Sequence, residues 1–119
     1  MAKRILIIDD EEHIRAHYQE LLTEQGFEVE TAFDGESGLA AYKGGQFDLV
    51  LLDVNMPDKS GLEVLKEIKG VKDSQVVFLL TAFDEYKRNF ASLYAEEYFT
   101  KDKKIDILLR RIAEHLEDN

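Results

Sequence analysis

The chain contains no cysteine, so disulfides are excluded and a reducing compartment is compatible with it. Long apolar runs are missing as well. Lys3-Arg4 precede only Ile5-Leu6-Ile7-Ile8 before the acidic run Asp9-Asp10-Glu11-Glu12, too few residues for a signal-peptide core or a membrane helix. A cytoplasmic protein that engages no membrane is expected. Positive charge is scarce: 15 basic against 25 acidic side chains give a formal charge of −10, which repels nucleic acid and anionic lipid unless basic groups cluster locally. Only Lys101-Asp102-Lys103-Lys104 approaches a cluster. It reads as a solvated loop and helix start, and no direct nucleic-acid contact is expected. With 119 residues and 45% apolar content, one core is affordable and two ordinary domains are not, so residues 1–119 are expected to form a single domain.

Apolar runs of strand length alternate with segments of helical period, the pattern of a parallel sheet with crossover helices. A first strand, Ile5-Leu6-Ile7-Ile8, precedes a helix over about residues 11–25 with Ile14, Tyr18, Leu21 and Leu22 on one stripe and Gly26 as its stop. A second strand over 27–33 alternates apolar and polar. A helix capped by Asp34 and patterned around Leu39 and Tyr42 ends at Gly44-Gly45. The third strand, Leu49-Val50-Leu51-Leu52, runs into Asp53. A helix from about Ser60 carries Leu62, Leu65 and Ile68, with Gly70 beyond its end. The fourth strand is residues 76–80, a short fourth helix falls between Asp84 and about Leu93, and a brief fifth strand surrounds Tyr98-Phe99. The fifth helix has the clearest stripe, in Ile105, Leu108, Leu109, Ile112 and Leu116.

Strands one, three and four are uninterrupted apolar runs, as expected when helices cover both faces, whereas two and five are alternating or short, as edges are. Right-handed crossovers then favour the order 2-1-3-4-5 in a doubly wound (βα)5, flavodoxin-like α/β fold. In that topology a site forms beyond the carboxyl ends of the strands, where Asp9, Asp10, Asp53, Thr81 and Lys101 are expected. Three neighbouring carboxylates need raised pKa values or a shared cation, and hard oxygen ligands point to magnesium. With the ion in place, Asp53 can attack a phosphorus atom in line while Thr81 and Lys101 receive the phosphoryl oxygens, giving an aspartyl phosphate.

Four ordered motifs, Ile7-Ile8-Asp9-Asp10-Glu11, Asp53-Val54-Asn55-Met56-Pro57-Asp58-Lys59-Ser60-Gly61, Thr81-Ala82 and Tyr98-Phe99-Thr100-Lys101, closely resemble those of the receiver domain of two-component response regulators, over essentially the whole chain. The resemblance implies that Asp53 is the phosphoacceptor, served by a sensor histidine kinase, a phosphotransfer protein or a small phosphodonor. It implies magnesium held by Asp10, Asp53 and the backbone carbonyl of Asn55, with Asp9 acting largely through water. Thr81 and Lys101 would contact the phosphoryl group, and Tyr98 would be the aromatic switch that turns inward with Thr81. The protein would assist its own phosphorylation and dephosphorylation without being a turnover enzyme. Its downstream protein target is unreadable. Because no linker or DNA-binding segment follows Asn119, a stand-alone receiver, a phosphorelay intermediate or the receiver part of a longer regulator all fit.

Three departures from the family pattern stand out. Pro57 is the only proline, so none follows Lys101, and the Lys101-Asp102 bond is expected to be trans because a cis bond there costs about 3–4 kcal/mol. Nineteen residues separate Thr81 from Lys101, fewer than is usual, and Tyr94-Ala95-Glu96-Glu97 replaces the family's Gly-Ala-Asp, so the fourth helix is expected to be shortened. Phe83 overhangs the expected site, and slow autodephosphorylation follows if its ring hinders the hydrolytic water. Rival readings are a phosphate-independent interaction module of the same fold and an aspartate-nucleophile phosphatase. The phosphatase would need an acid where Asn55 stands. A flavin-mononucleotide binder is disfavoured by the acidic loop after the first strand. His13 and His17, spaced i, i+4, lack a third ligand and read as a solvated face.

Overall fold

A computed structural model describes residues 2–82, 94–101 and 105–117. Five strands, β1 (Arg4–Ile8), β2 (Glu28–Ala32), β3 (Leu49–Asp53), β4 (Val76–Thr81) and β5 (Glu97–Thr100), form one parallel sheet in the order β2-β1-β3-β4-β5. The helices among the described residues are α1 (Glu12–Glu24), α2 (Gly35–Lys43), α3 (Gly61–Val71) and α4 (Ile105–Leu116), the last being the fifth helix of the sequence reading. None of them is long and apolar enough to cross a membrane.

Strand periodicity divides the core in two, because successive side chains point to opposite faces. Leu6, Ile8, Val50, Leu52, Val77 and Leu79 pack toward α2 and α3. Their neighbours Ile5, Ile7, Leu49, Leu51, Phe78 and Leu80 pack toward α1 and α4. Burial on both sides explains why Ile5–Ile8 of β1, Leu49–Leu52 of β3 and Val77–Leu80 of β4 are all apolar, each buried apolar side chain contributing about 1.5–3 kcal/mol. The edge strands β2 and β5 are only partly buried, as their mixed composition requires.

Most expected boundaries fall within two residues of the observed ones. Gly26 stops α1 with φ 95°, and Asp34 caps α2 through a reciprocal pair with Ser37. Gly70 departs from expectation. It lies inside α3, which continues to Val71 and ends at the extended Lys72. Glycine tolerates helix interior at a cost of about 1 kcal/mol, and the turn that leads into β4 is closed instead by the Gln75 amide donating to the Lys72 carbonyl at 3.0 Å. The expected fourth helix, Phe83 and the Lys101-Asp102 bond lie outside the described residues.

Two glutamates fasten β5. Glu96 pairs with Val77 in both directions: its amide donates to the Val77 carbonyl at 2.9 Å, and its Oε1 accepts from the Val77 amide at 2.8 Å. Lys69, almost buried, donates to both Glu96 oxygens at 3.0 and 2.9 Å. Glu97 accepts from Arg111 of α4 and lies 3.2 Å from His115 Nε2. Burial alone would raise the Glu97 carboxyl, but Arg111 and His115 outweigh it and hold the group below its ordinary value.

Glu96→Ala strands the Val77 amide and leaves the Lys69 ammonium only the backbone carbonyls of Gln75 and Asp73, and is expected to cost about 1–3 kcal/mol, read as a lowered urea midpoint, with Glu96→Gln costing less. Because the folded-state pKa of Glu97 is depressed, its contribution is full above the ordinary glutamate value of 4.5 and fades as pH falls through the lowered one. The stability gap between the native chain and Glu97→Gln should therefore shrink on acidification in thermal unfolding below that pH.

Candidate functional site

Because all five strands are parallel, their carboxyl ends share one edge of the sheet, and the polar residues that terminate the apolar runs collect there. Asp9 follows β1, and its amide continues the pairing with β2 by donating to the Ala32 carbonyl at 3.1 Å. Asp53 is the last residue of β3, next to β1 in the sheet. Thr81 closes β4 one residue past Leu80, the partner of Asp53. Lys101 follows β5 and donates its amide to the Thr81 carbonyl at 2.7 Å. Asp9, Asp53 and Thr81 are buried and Asp10 is exposed.

The Lys101 ammonium ties the cluster together. It lies 2.8 Å from Asp9 Oδ2, 2.9 Å from Glu11 Oε1 and 3.3 Å from Asp53 Oδ1. The contact with Asp9 Oδ2 is ionic and lacks hydrogen-bond direction, leaving that buried oxygen without a directed donor. One oxygen from each of Asp9, Asp10 and Asp53 falls within 4.8 Å of the others. Asp53 Oδ1 also accepts from the Asn55 amide at 3.3 Å, and Asp9 Oδ1 from the Glu11 amide at 2.9 Å.

Electrostatics follow from this crowding. Burial, then the charge of Asp9 and the hydrogen bond with Asp10, push the Asp53 carboxyl up to about 7, against the lowering effect of Lys101. Burial likewise raises Asp9. Burial opposes the charge on Lys101, but Asp9, Glu11 and Asp53 more than compensate and keep the ammonium well above the usual lysine range. A divalent cation suits such a site: three hard carboxylate oxygens converge, an under-donated buried oxygen belongs to one of them, and their mutual repulsion is what a cation removes. A cavity of about 390 Å³ opens between Asp10, the loop residues Val54, Asn55, Met56 and Pro57, and Ser60. A second cavity, of about 740 Å³, lies near Arg4, Phe47 and Gln75 and is lined by none of these acidic residues.

Glycine is required where this loop re-enters α3. The Gly61 amide donates to the Val54 carbonyl at 2.8 Å, and a Cβ there would overlap the Asp53 carbonyl oxygen. Tyr98 sits half-buried on β5 against the α2–α3 side of the core. His13 lies 3.6 Å from Glu11 and, among the described residues, neither it nor His17 joins a metal-ligand cluster. Glu11, a partner of Lys101, was visible in the sequence only as part of the acidic run. Arg15, which donates to the Asp9 carbonyl at 2.7 Å, carried no signal at all.

Comparison with known proteins agrees with this architecture. The chain is 40% identical over 111 residues to the transcriptional regulatory protein DltR of Streptococcus agalactiae, covering 92% of this chain and 50% of that protein. It is 34% identical over 114 residues to the response regulator MprA of Mycobacterium tuberculosis, covering 94% and 50%. The chain thus spans about half the length of the curated relatives it matches. Among solved structures, the response regulator TrrA of Thermotoga maritima in complex with Mg2+-BeF superimposes with a TM-score of 0.93 at 42% identity, over 96% of this chain and 99% of that one. TrrA in complex with the histidine kinase ThkA gives a TM-score of 0.90 at 42% identity, over 97% and 99%. The family model described as the response regulator receiver domain matches residues 5–113, and the chain belongs to that family.

Proposed function

We propose that Asp53 is the phosphoacceptor of this receiver, taking its phosphoryl group from the phosphohistidine of a sensor kinase or phosphotransfer protein, or from a small acyl phosphate. The observation that carries the reading is the Lys101 ammonium set 2.8 Å from Asp9 and 3.3 Å from Asp53, with Asp10 within the same acidic cluster. An Asp53 oxygen attacks phosphorus in line; the new O–P bond forms as the bond to the donor's imidazole nitrogen or acyl oxygen breaks, and the electron pair leaves with the donor. Asp10, Asp53 and the Asn55 carbonyl would hold magnesium, with Asp9 acting largely through water, and the ion would supply positive charge to offset that of the transferring oxygens. Lys101 and Thr81 receive those oxygens as ammonium and hydroxyl donors. Thr81 then draws toward the phosphoryl group and Tyr98 moves inward, shifting the population of the β5 surface.

On this reading the product stays attached to the protein, and the chain serves as a signalling intermediate in the cytoplasm, without catalytic turnover. The similarity to a transcriptional regulatory protein twice its length favours the receiver part of a longer regulator whose further portion carries the output.

Incubation with acetyl phosphate should add one phosphoryl group in the presence of magnesium and none after chelation, as read by intact mass. Asp53→Ala should abolish the adduct, and Lys101→Ala should slow its formation at least about tenfold, since a transition-state donor is lost. Labelling of Asp53→Ala at the native rate would reject the assignment. Ionisation of the nucleophile gives a second check. Removing the charge that lowers it, Lys101→Met should move the Asp53 titration above about 7, and saturating magnesium should move the native titration down, both followed by carbon-detected NMR of the side-chain carboxyls.

A further inference from the structure

Asp58 belongs to the same loop as Asn55 but points away from the acidic cluster, toward a different part of the fold. Its two carboxylate oxygens accept from the backbone amides of Gly35 at 3.0 Å and Glu36 at 2.9 Å, the first two residues of α2. The third amide of that turn, Ser37, is already taken by Asp34 at 2.8 Å, with the Ser37 hydroxyl answering at the Asp34 amide. The helix therefore has its own cap, and the Asp58 contacts join two segments more than twenty positions apart in sequence. A carboxylate at this end of a helix is favoured by the free amides and the helix dipole, and the Gly35 amide foremost holds the Asp58 carboxyl below its usual range. The neighbouring Lys59 stem lies tightly over Gly35 and its ammonium reaches Glu67 of α3 at 3.2 Å. α2 is itself anchored to the sheet by buried Leu39 and Tyr42.

At its other end the backbone amide of Asn55 donates to Asp53 Oδ1. Between that contact and the entry to α3 at Gly61, Asp58 ties the loop to the scaffold through two hydrogen bonds. We propose that Asp58 is a positioning residue: its carboxylate fixes the loop to the first turn of α2 and so sets the Asn55 carbonyl against Asp53 at the spacing a divalent cation needs. The inference rests on the metal site proposed above and adds to it a residue that touches neither metal nor phosphoryl group.

Magnesium affinity is the discriminating quantity, because loss of a helix cap alone would lower stability and leave the affinity unchanged. By isothermal titration of the metal alone into the intact chain, Asp58→Ala should bind magnesium about tenfold more weakly than the native protein, the lower end of what outer-shell supports of metal sites contribute. Asp58→Asn, which keeps one accepting oxygen, should fall between the two, and carries the comparison if the alanine variant does not fold. Asp34→Ala removes a cap from the same helix without touching the loop; it should lower the thermal midpoint at native magnesium affinity. Unchanged affinity in both Asp58 variants, or an equal weakening in Asp34→Ala, overturns the proposal. Failure of the native chain to bind magnesium would instead remove the metal site itself, an outcome separable from either.

Discussion

The architecture of this receiver turns on like-charge crowding. Parallel strands deliver Asp9, Asp10 and Asp53 to one edge with their oxygens inside 4.8 Å. At that separation two full negative charges repel by about 3–4 kcal/mol at the effective dielectric of a protein rim, so three cannot all be ionised without compensation. Lys101 provides one positive charge in direct contact with Asp9 and Asp53. One charge does not balance three, and burial first, with this deficit second, pushes the Asp53 carboxyl up to about 7. The arrangement suits a further cation, in whose presence the Asp53 carboxyl would ionise more readily.

The compensating lysine stands just past one of the two edge strands. β5 is a half-exposed edge, and Lys101 is placed by one backbone bond to Thr81 just past its end. What the strand lacks in buried area is made up by side chains: Glu96 completes the pairing with β4 and recruits Lys69 from α3, while Glu97 reaches Arg111 and His115 on α4. The strand that leads into Lys101 is thereby joined by side chains to both α3 and α4.

How much of this could be read from the sequence depended on where the partners lay. Strand order was legible because burial on two faces forces continuous apolar runs in β1, β3 and β4, and the acidic edge was legible because Asp9, Asp10 and Asp53 interrupt those runs at their ends. Lys101 was placed by its position after the fifth strand. Its contact with Glu11 was not, since it depends on the reach of two flexible side chains across 90 positions. Gly70 misled because a glycine near a helix end signals termination only when the chain needs a left-handed residue, and here the turn into β4 does not. Asp58 gave no sign of its role because its partners are backbone amides, which carry no sequence signature.

The two sides of the site are held in opposite ways, and this asymmetry bears on switching. The Asp53 side is fixed: Asp53 ends a fully buried strand, Gly61 closes the loop beneath it, and Asp58 ties that loop to a capped, well-packed helix. The lysine side rests on a partly exposed edge strand, paired with β4 on one side and held otherwise by the ion pairs of Glu96 and Glu97. A phosphoryl group added at Asp53 would bring new negative charge to a rigid point and find its counter-charge on Lys101, just past the edge strand β5. Energy released there can move only the side that is free to move, so in the proposed chemistry the response is directed toward β5 and α4, with α2 and the loop acting as the frame.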